Sequence, residues 1–318
     1  MTVHSGIKVA ALAGGVGGAR LADGLSRVIP PEDLTVIVNT GDDFEHLGLW
    51  VSPDLDTVCY TLAGIANSET GWGRAEETWG AMDALSDLGG PHWFRLGDRD
   101  LGTHLERTRR IKLGDSLSDI TSDFCRAWGV GPAVLPMSDD PAPTLVRTVE
   151  GELAFQEYFV RRRCEPAVTG FRFEGDPSPA PGVIAALERA DLVVICPSNP
   201  WVSIDPILNV TGIRAVLAER PGIAVSPLIG GRAVKGPAAK MYRELGIEPS
   251  AAAVAAHYGG LLCGFVIDHA DHAETSLIRA EGLDVFSTDA LMSDDLDRAR
   301  LAGEMIEFWM NVRQKSSG

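Results

Sequence analysis

The chain has 318 residues, 45% of them apolar, enough for one large domain or two small ones around a substantial core. Its formal net charge of −16 argues against nucleic acid or an anionic membrane as the main partner. No apolar run reaches the roughly 18 residues of a membrane helix, and an apolar strand pattern begins within a few residues of the N-terminus, so a cytoplasmic protein without a signal peptide is expected.

Ile7–Ala13 is a short apolar run ending in glycine, the pattern of a buried strand. Residues 17–29 then show helical spacing, with Ala19, Leu21, Ala22, Leu25 and Val28 on one face, until Pro30-Pro31 stops the helix. Between strand and helix lies Gly14-Gly15-Val16-Gly17-Gly18. Glycines there permit positive φ and bring backbone N–H groups close to an anion at a helix N-terminus. The turn is not a Walker loop, since no Gly-Lys-Ser or Gly-Lys-Thr follows, and the third glycine position of a dinucleotide fingerprint is Arg20. Arg20 favours a phosphate ligand, because guanidinium matches phosphate oxygens. The competing reading is a tight turn that needs glycine only for packing.

Leu34–Val38 reads as the second parallel strand, apolar throughout. Asn39-Thr40-Gly41-Asp42-Asp43-Phe44-Glu45-His46 lies at its carboxyl end, followed by Ser52-Pro53-Asp54-Leu55-Asp56-Thr57. Ligands of open α/β sheets bind outside the carboxyl ends of the strands. Asp42, Asp43, Asp54 and Asp56 are hard oxygen ligands suited to magnesium, which commonly takes one or two carboxylates plus substrate phosphates. Two other roles compete: Asp54 or Asp56 could cap the helix over residues 57–66, and an acid after the second strand could bind a ribose hydroxyl.

Helical patterns cover residues 74–88, 101–111 and 117–128, and β-like runs cover 133–137, 144–149, 153–160 and 167–173. After a linker-like stretch at 175–181 come strands at 192–196, 223–227 and 262–267 and helices at 213–219, 238–245 and 294–312. This predicts a single α/β domain over residues 1–318, a doubly wound, mostly parallel Rossmann-like sheet with a strand- and helix-containing insertion at about residues 90–180. Ser198 and Asn199 follow one strand and Leu228-Ile229-Gly230-Gly231 the next, with Lys235 within reach of a phosphate. Arg107, Arg109, Arg110 and Arg161-Arg162-Arg163 are clusters that could line a local basic pocket, although most charge runs are solvated faces. The scattered Cys59, Cys125, Cys164, Cys196 and Cys263 read as free thiols, and Asp268-His269-Ala270-Asp271-His272 as a solvated loop rather than a metal site.

The glycine turn, Asn39–Asp43, Ser52–Thr57, Arg95-Leu96-Gly97-Asp98, Pro136–Asp140, Pro197-Ser198-Asn199-Pro200 and Ser226–Gly231 together resemble the 2-phospho-L-lactate transferase family of deazaflavin coenzyme F-420 biosynthesis, over nearly the whole chain. The actinobacterial phosphoenolpyruvate transferase branch is the nearest likeness. Archaeal members commonly have threonine where Val16 stands, which removes any contact from that hydroxyl but not those from the backbone. The resemblance implies a donor of guanosine diphosphate esterified to lactate or enolpyruvate, the deazaflavin Fo as acceptor, and GMP as leaving product.

On this reading a ribityl hydroxyl attacks the substituted phosphorus. Asp42, Asp43, Asp54 and Asp56 would hold magnesium, and Asp54 would orient the hydroxyl or accept its proton, with Asp42 and Asp43 beside it. The likeness places Asp54 and Arg95 next to the deazaflavin under the inserted segment. It puts the nucleotide on Gly14, Gly15, Val16, Gly17, Gly18, Ser198, Asn199, Leu228, Ile229 and Gly230. A homodimer is expected. A nicotinamide-dependent oxidoreductase, disfavoured by the missing third glycine and the doubled acid, and a non-catalytic nucleotide sensor are the rivals.

Overall fold

Alternate residues of the first strand face opposite layers of helices, which is why the sequence shows a continuous apolar run there rather than alternation. In the computed structural model, which describes residues 3–316, this strand β1 (Val9–Ala13) packs Val9, Ala11 and Ala13 into one core and Ala10 and Leu12 into the other.

The chain continues through α1 (Gly15–Val28) to β2 (Leu34–Val38), then a hairpin of β3 (Phe44–His46) and β4 (Leu49–Val51) before α2 (Pro53–Leu62). Helices α3 (Gly80–Asp87), α4 (Asp98–Leu113) and α5 (Leu117–Ala127) lead to β5 (Ala133–Pro136). Strands β6 (Thr144–Thr148), β7 (Gly151–Ala154) and β8 (Val168–Phe173) form a separate antiparallel sheet ordered β7-β6-β8. Next come α6 (Val183–Arg189), β9 (Leu192–Ile195), α7 (Asp205–Asn209), α8 (Ile213–Leu217), β10 (Gly222–Val225) and the hairpin β11 (Leu228–Ile229) with β12 (Arg232–Ala233). The last part holds α9 (Ala238–Glu244), α10 (Ala251–Tyr258), β13 (Gly264–Asp268), α11 (Thr275–Ala280), β14 (Asp284–Thr288) and α12 (Asp295–Ser316).

The main sheet has seven strands in the order β14-β13-β10-β9-β1-β2-β5, every neighbouring pair parallel. This is the doubly wound α/β architecture expected from the sequence. On one face α1 buries Ala19, Leu21, Ala22, Leu25 and Val28 against α2 and α12. Full burial of each such leucine contributes about 1.5–3 kcal/mol. The other face is covered by α6–α10, through Val183, Leu187, Ile207, Ile213, Met241 and Val254. Among the described residues no helix is long and apolar enough to cross a membrane.

Some local expectations differ. The run at 133–137, read as part of the insertion, returns to the main sheet as β5, with Val134 opposite Val36. It resembled the β-runs that follow it because a four-residue strand carries too little pattern to show which sheet it joins. The helix expected over 74–88 begins only at Gly80, because Ala66 and Arg74 form an isolated bridge and Glu76 takes φ 55°. The run at 153–160 ends as a strand at Ala154 and turns into a five-residue helical coil at Glu157–Arg161.

Candidate active site

From β1 the chain moves outward to β2 and β5, then returns to β9 on the other side of β1. The loops leaving β1 and β9 therefore part at the point where open α/β sheets bind ligands. They are tied together there. Gly14 N–H donates to Ser198 Oγ at 3.2 Å, and that hydroxyl donates back to Gly14 O at 2.8 Å. A Cβ on Gly17 would stand 2.2 Å from Pro197 O, and one on Gly18 2.6 Å from Ser198 Oγ, so close packing accounts for these two glycines. Gly15 opens α1 at φ 62°, and its backbone N–H donates to Asp54.

Asp54 sits in the first turn of α2, which Pro53 starts by fixing φ where no N–H is needed. Asn39, fully buried at the end of β2, donates from Nδ2 to Asp54 Oδ2 at 2.9 Å. The same Nδ2 lies 3.4 Å from Asp42 Oδ1 and 3.2 Å from Val202 O, while Asn39 Oδ1 accepts Gly41 N–H at 2.9 Å. Ser203 also donates to Asp54, and Gln156 Nε2 donates to Asp42 Oδ2 at 2.9 Å. Asp42 and Asp54 are buried, 3% and 9% exposed. Burial penalises their charged forms. It raises Asp54 to about 6, against the bonds from Asn39 and Gly15, and raises Asp42 well above the carboxylate range, helped by the charges of Asp54 and Asp43.

Asp43 is half-buried and accepts from Ser52 Oγ at 2.7 Å and Trp50 Nε1 at 3.1 Å. Its Oδ1 is buried without a partner, and burial lifts the acid to about 8 although Ser52 and Arg107 oppose the shift.

Asp56 does not join this group. Positions two apart on a helix do not share a face, and Asp56 points instead to α4, where Arg107 grips both its oxygens, one of them at 3.0 Å. Arg107 is 2% exposed and paired with Asp56, so it lies neither on a solvated face nor in an open basic pocket. His104 Nδ1 stands 3.3 Å from Arg107 Nη1, and Tyr60 donates to Asp100 Oδ1 at 2.7 Å beside it. Asp56 is thus held in a buried ion pair that engages both its oxygens and turns it away from Asp42 and Asp54. Among the described residues no three acidic, histidine or cysteine side chains converge as a preformed ligand set. Asp42 and Asp54, with Asp43 Oδ1 unsatisfied nearby, fit a magnesium ion that takes its remaining oxygens from phosphates and water.

The other expected residues spread along the same sheet edge. Asn199 caps the helical coil at Pro200–Ile204, its Oδ1 accepting Trp201 N–H at 3.1 Å. Leu228 and Ile229 form one arm of the β11–β12 hairpin, and Gly230 N–H donates to both oxygens of Asp271, at 2.9 and 3.1 Å. Asp271 is 3% exposed, so the solvated reading of its loop holds for His269 and His272 but not for Asp271, which braces the hairpin. Arg95 stacks over Trp79 at 4.6 Å and pairs with Asp83 at 3.0 Å. Neither partner is Asp54. Asn39 and Gln156 were absent from the residues expected in the site. Asn39 carried a signal, the first polar residue after an apolar strand; Gln156 carried none.

Residues 9–303 match the protein family described as 2-phospho-L-lactate transferase CofD. The chain is 43% identical over 317 residues to the phosphoenolpyruvate transferase of Streptomyces griseus subsp. griseus, covering 96% of this chain and 100% of that one. It is 41% identical over 310 residues to the 2-phospho-L-lactate transferase of Methanopyrus kandleri, covering 94% and 97%. A crystal structure of a UPF0052 family protein from Bacillus halodurans superposes with a TM-score of 0.63 at 16% identity, covering 96% of this chain and all of that one, which supports the fold.

Proposed function

The chain belongs to the 2-phospho-L-lactate transferase CofD family and is a transferase, and from that premise we propose that it moves a phosphoenolpyruvyl or phospholactyl group from a guanosine diphosphate-linked donor to the ribityl hydroxyl of the deazaflavin Fo in coenzyme F-420 biosynthesis, releasing GMP. The observation that carries this reading is the Asp42–Asn39–Asp54 cluster. It lies against the N-terminus of α1 through Gly15, at the switch point of the sheet. Both features suit a substrate whose phosphates need a cation on one side and helix N–H groups on the other. Family membership removes the support for an oxidoreductase or a non-catalytic sensor.

In the proposed step a P–O bond forms from the ribityl oxygen to the substituted phosphorus, and the P–O bond to GMP breaks. The hydroxyl proton passes to the Asp54 carboxylate, which Asn39 and Gly15 hold in place. Gln156 fixes Asp42 beside it. Magnesium, held by Asp42 and Asp54 with Asp43 adjacent, would supply charge neutralisation for the bridging and leaving oxygens. Asp56 is not in this set. Arg95 with its Trp79 platform would meet the deazaflavin, and the hairpin at Leu228–Gly230 and the Asn199 loop would meet the guanosine. The reading includes a cytoplasmic homodimer, which sedimentation velocity tests.

The deciding experiment is a mass-spectrometric assay of the product formed from Fo with each donor. A phosphoenolpyruvyl or phospholactyl adduct with GMP is expected, and no adduct from either donor overturns the proposal.

A further inference from the structure

We propose that Arg20 and Lys235 form the cation pair that holds the diphosphate of the nucleotide donor, an inference that rests on the transferase reading above. The two come from different elements, α1 and the segment between β12 and α9. Both stand beside the start of α1, where Arg20 lies one turn on from Val16 and shares its helix face. A Cβ on Gly71 would stand 2.7 Å from Val16 Cγ1 and 3.0 Å from Lys235 Nζ, so the ammonium lies beside the turn that opens α1.

The chain carries 44 acidic residues against 28 lysines and arginines, yet neither of these cations is ion-paired among the described residues. The acceptors they have are neutral carbonyls: Lys235 Nζ donates to Thr70 O, and Arg20 Nη1 donates to Met292 O at 2.8 Å. The third cation of the neighbourhood, Arg298, is neutralised by Asp23 at 3.1 Å and Asp295 at 3.2 Å. Burial and the charge of Arg20 both push the Lys235 ammonium below its usual range, and burial and the charge of Arg298 lower Arg20. Two cations beside the start of one helix, neither ion-paired among the described residues, in a chain of net charge −16, make a site that an anion would stabilise.

Charge-assisted bonds to phosphate are about twice as strong as neutral ones, so phosphate oxygens would displace the two carbonyls. A ligand that spans both cations while facing the Asp42–Asp54 carboxylates must carry several negative charges and share a divalent ion, which is the chemistry of a nucleoside diphosphate. Loss of the Lys235 bond would also release Thr70, so the turn at Gly71 is coupled to donor entry.

The test is calorimetric titration of the full chain, in magnesium, with GDP, inorganic diphosphate and guanosine, for wild type, Lys235→Gln, Arg20→Gln and Lys235→Arg. Each glutamine variant should lose about tenfold or more in affinity for GDP and diphosphate, with guanosine affinity unchanged, and the donor KM should rise more than kcat falls. Lys235→Arg should retain most of the affinity. Folded glutamine variants that bind GDP and diphosphate like the wild type overturn the pair while leaving the transferase reading in place. Diphosphate binding that depends on both cations, in a chain that transfers no group to Fo, supports the pair and overturns the transferase reading. A wild type that binds neither GDP nor diphosphate overturns both.

Discussion

Asn39 donates to Asp54 Oδ2 at 2.9 Å and brings the same amide nitrogen within 3.4 Å of Asp42 Oδ1, so one neutral side chain stands between two buried acids. Its own oxygen is committed to Gly41 N–H, which fixes the amide's orientation. The arrangement stabilises the charged forms only in part, since both acids are still raised. Neutralisation by a cation or a proton is therefore favourable at this position, and metal binding and protonation compete for the same oxygens.

Asp54→Asn tests the role of the carboxylate. Turnover should fall about 100-fold or more, the range of a lost proton acceptor, with the far-ultraviolet circular dichroism unchanged. Normal turnover would leave Asp54 only the structural role of accepting the Asn39 and Gly15 bonds within the first turn of α2.

The same acid gives a stability signature. Its folded value of about 6 exceeds the ordinary 3.8, so its stabilising contribution is fully present below about pH 4 and is lost as pH rises through about 6. In excess chelator, lowering the pH from 8 to 5 should stabilise the wild type by about 1 kcal/mol more than Asp54→Asn. Urea melts of the two proteins at pH 8, 7, 6 and 5 measure this; parallel pH profiles would mean that Asp54 is not raised.

Arg107→Met should cost about 3–5 kcal/mol, because it leaves Asp56 buried without its guanidinium partner. The double substitution Arg107→Met with Asp56→Leu should recover most of that loss, since an apolar pair of similar volume replaces both charges. Thermal melts of the single and double variants decide it. A double variant as unstable as the single one would show that Arg107 acts through His104 or Asp43 instead.

The sheet was legible because buried parallel strands write themselves as apolar runs ending in glycine or polar residues, as Val9–Ala13 and Leu34–Val38 do. β5 was assigned to the wrong sheet, since Ala133–Pro136 is short and its partner β2 is about 100 residues away in sequence. In the site, spacing indicated an acidic cluster but could not separate Asp54 from Asp56. That difference arises from the direction of two side chains on one helical turn and from Arg107, which lies 51 residues onward. The role of Gln156 depends on a contact across 114 residues, which no local pattern records.

Magnesium dependence follows from the Asp42–Asp54 pair. Chelation should abolish transfer and magnesium should restore it. Calorimetric magnesium affinity, measured with GDP present, should fall at least about tenfold in Asp42→Asn. Asp56→Asn, if it folds, should bind magnesium normally, since Asp56 faces Arg107. Magnesium affinity should also weaken as pH falls below about 6, where protons take the Asp54 oxygens. Full transfer in excess chelator would remove the metal from the proposal.

Nucleotide choice is the remaining consequence. The Asn199 loop and the β11–β12 hairpin offer backbone and amide groups at the sheet edge, with Gly230 held by Asp271. A site that pairs with guanine's polar edge leaves those groups unsatisfied against adenine, at about 1–3 kcal/mol for each. In thermal-shift titrations with magnesium, GDP should therefore raise the melting temperature well above the shifts with ADP or NAD. Equal shifts for GDP and ADP would show that the phosphates alone are read, through Arg20, Lys235 and the turn at Gly14–Gly18. A shift with NAD alone would contradict a guanosine donor and is not expected, because the chain lacks the third glycine of a dinucleotide fingerprint and carries Arg20 in its place.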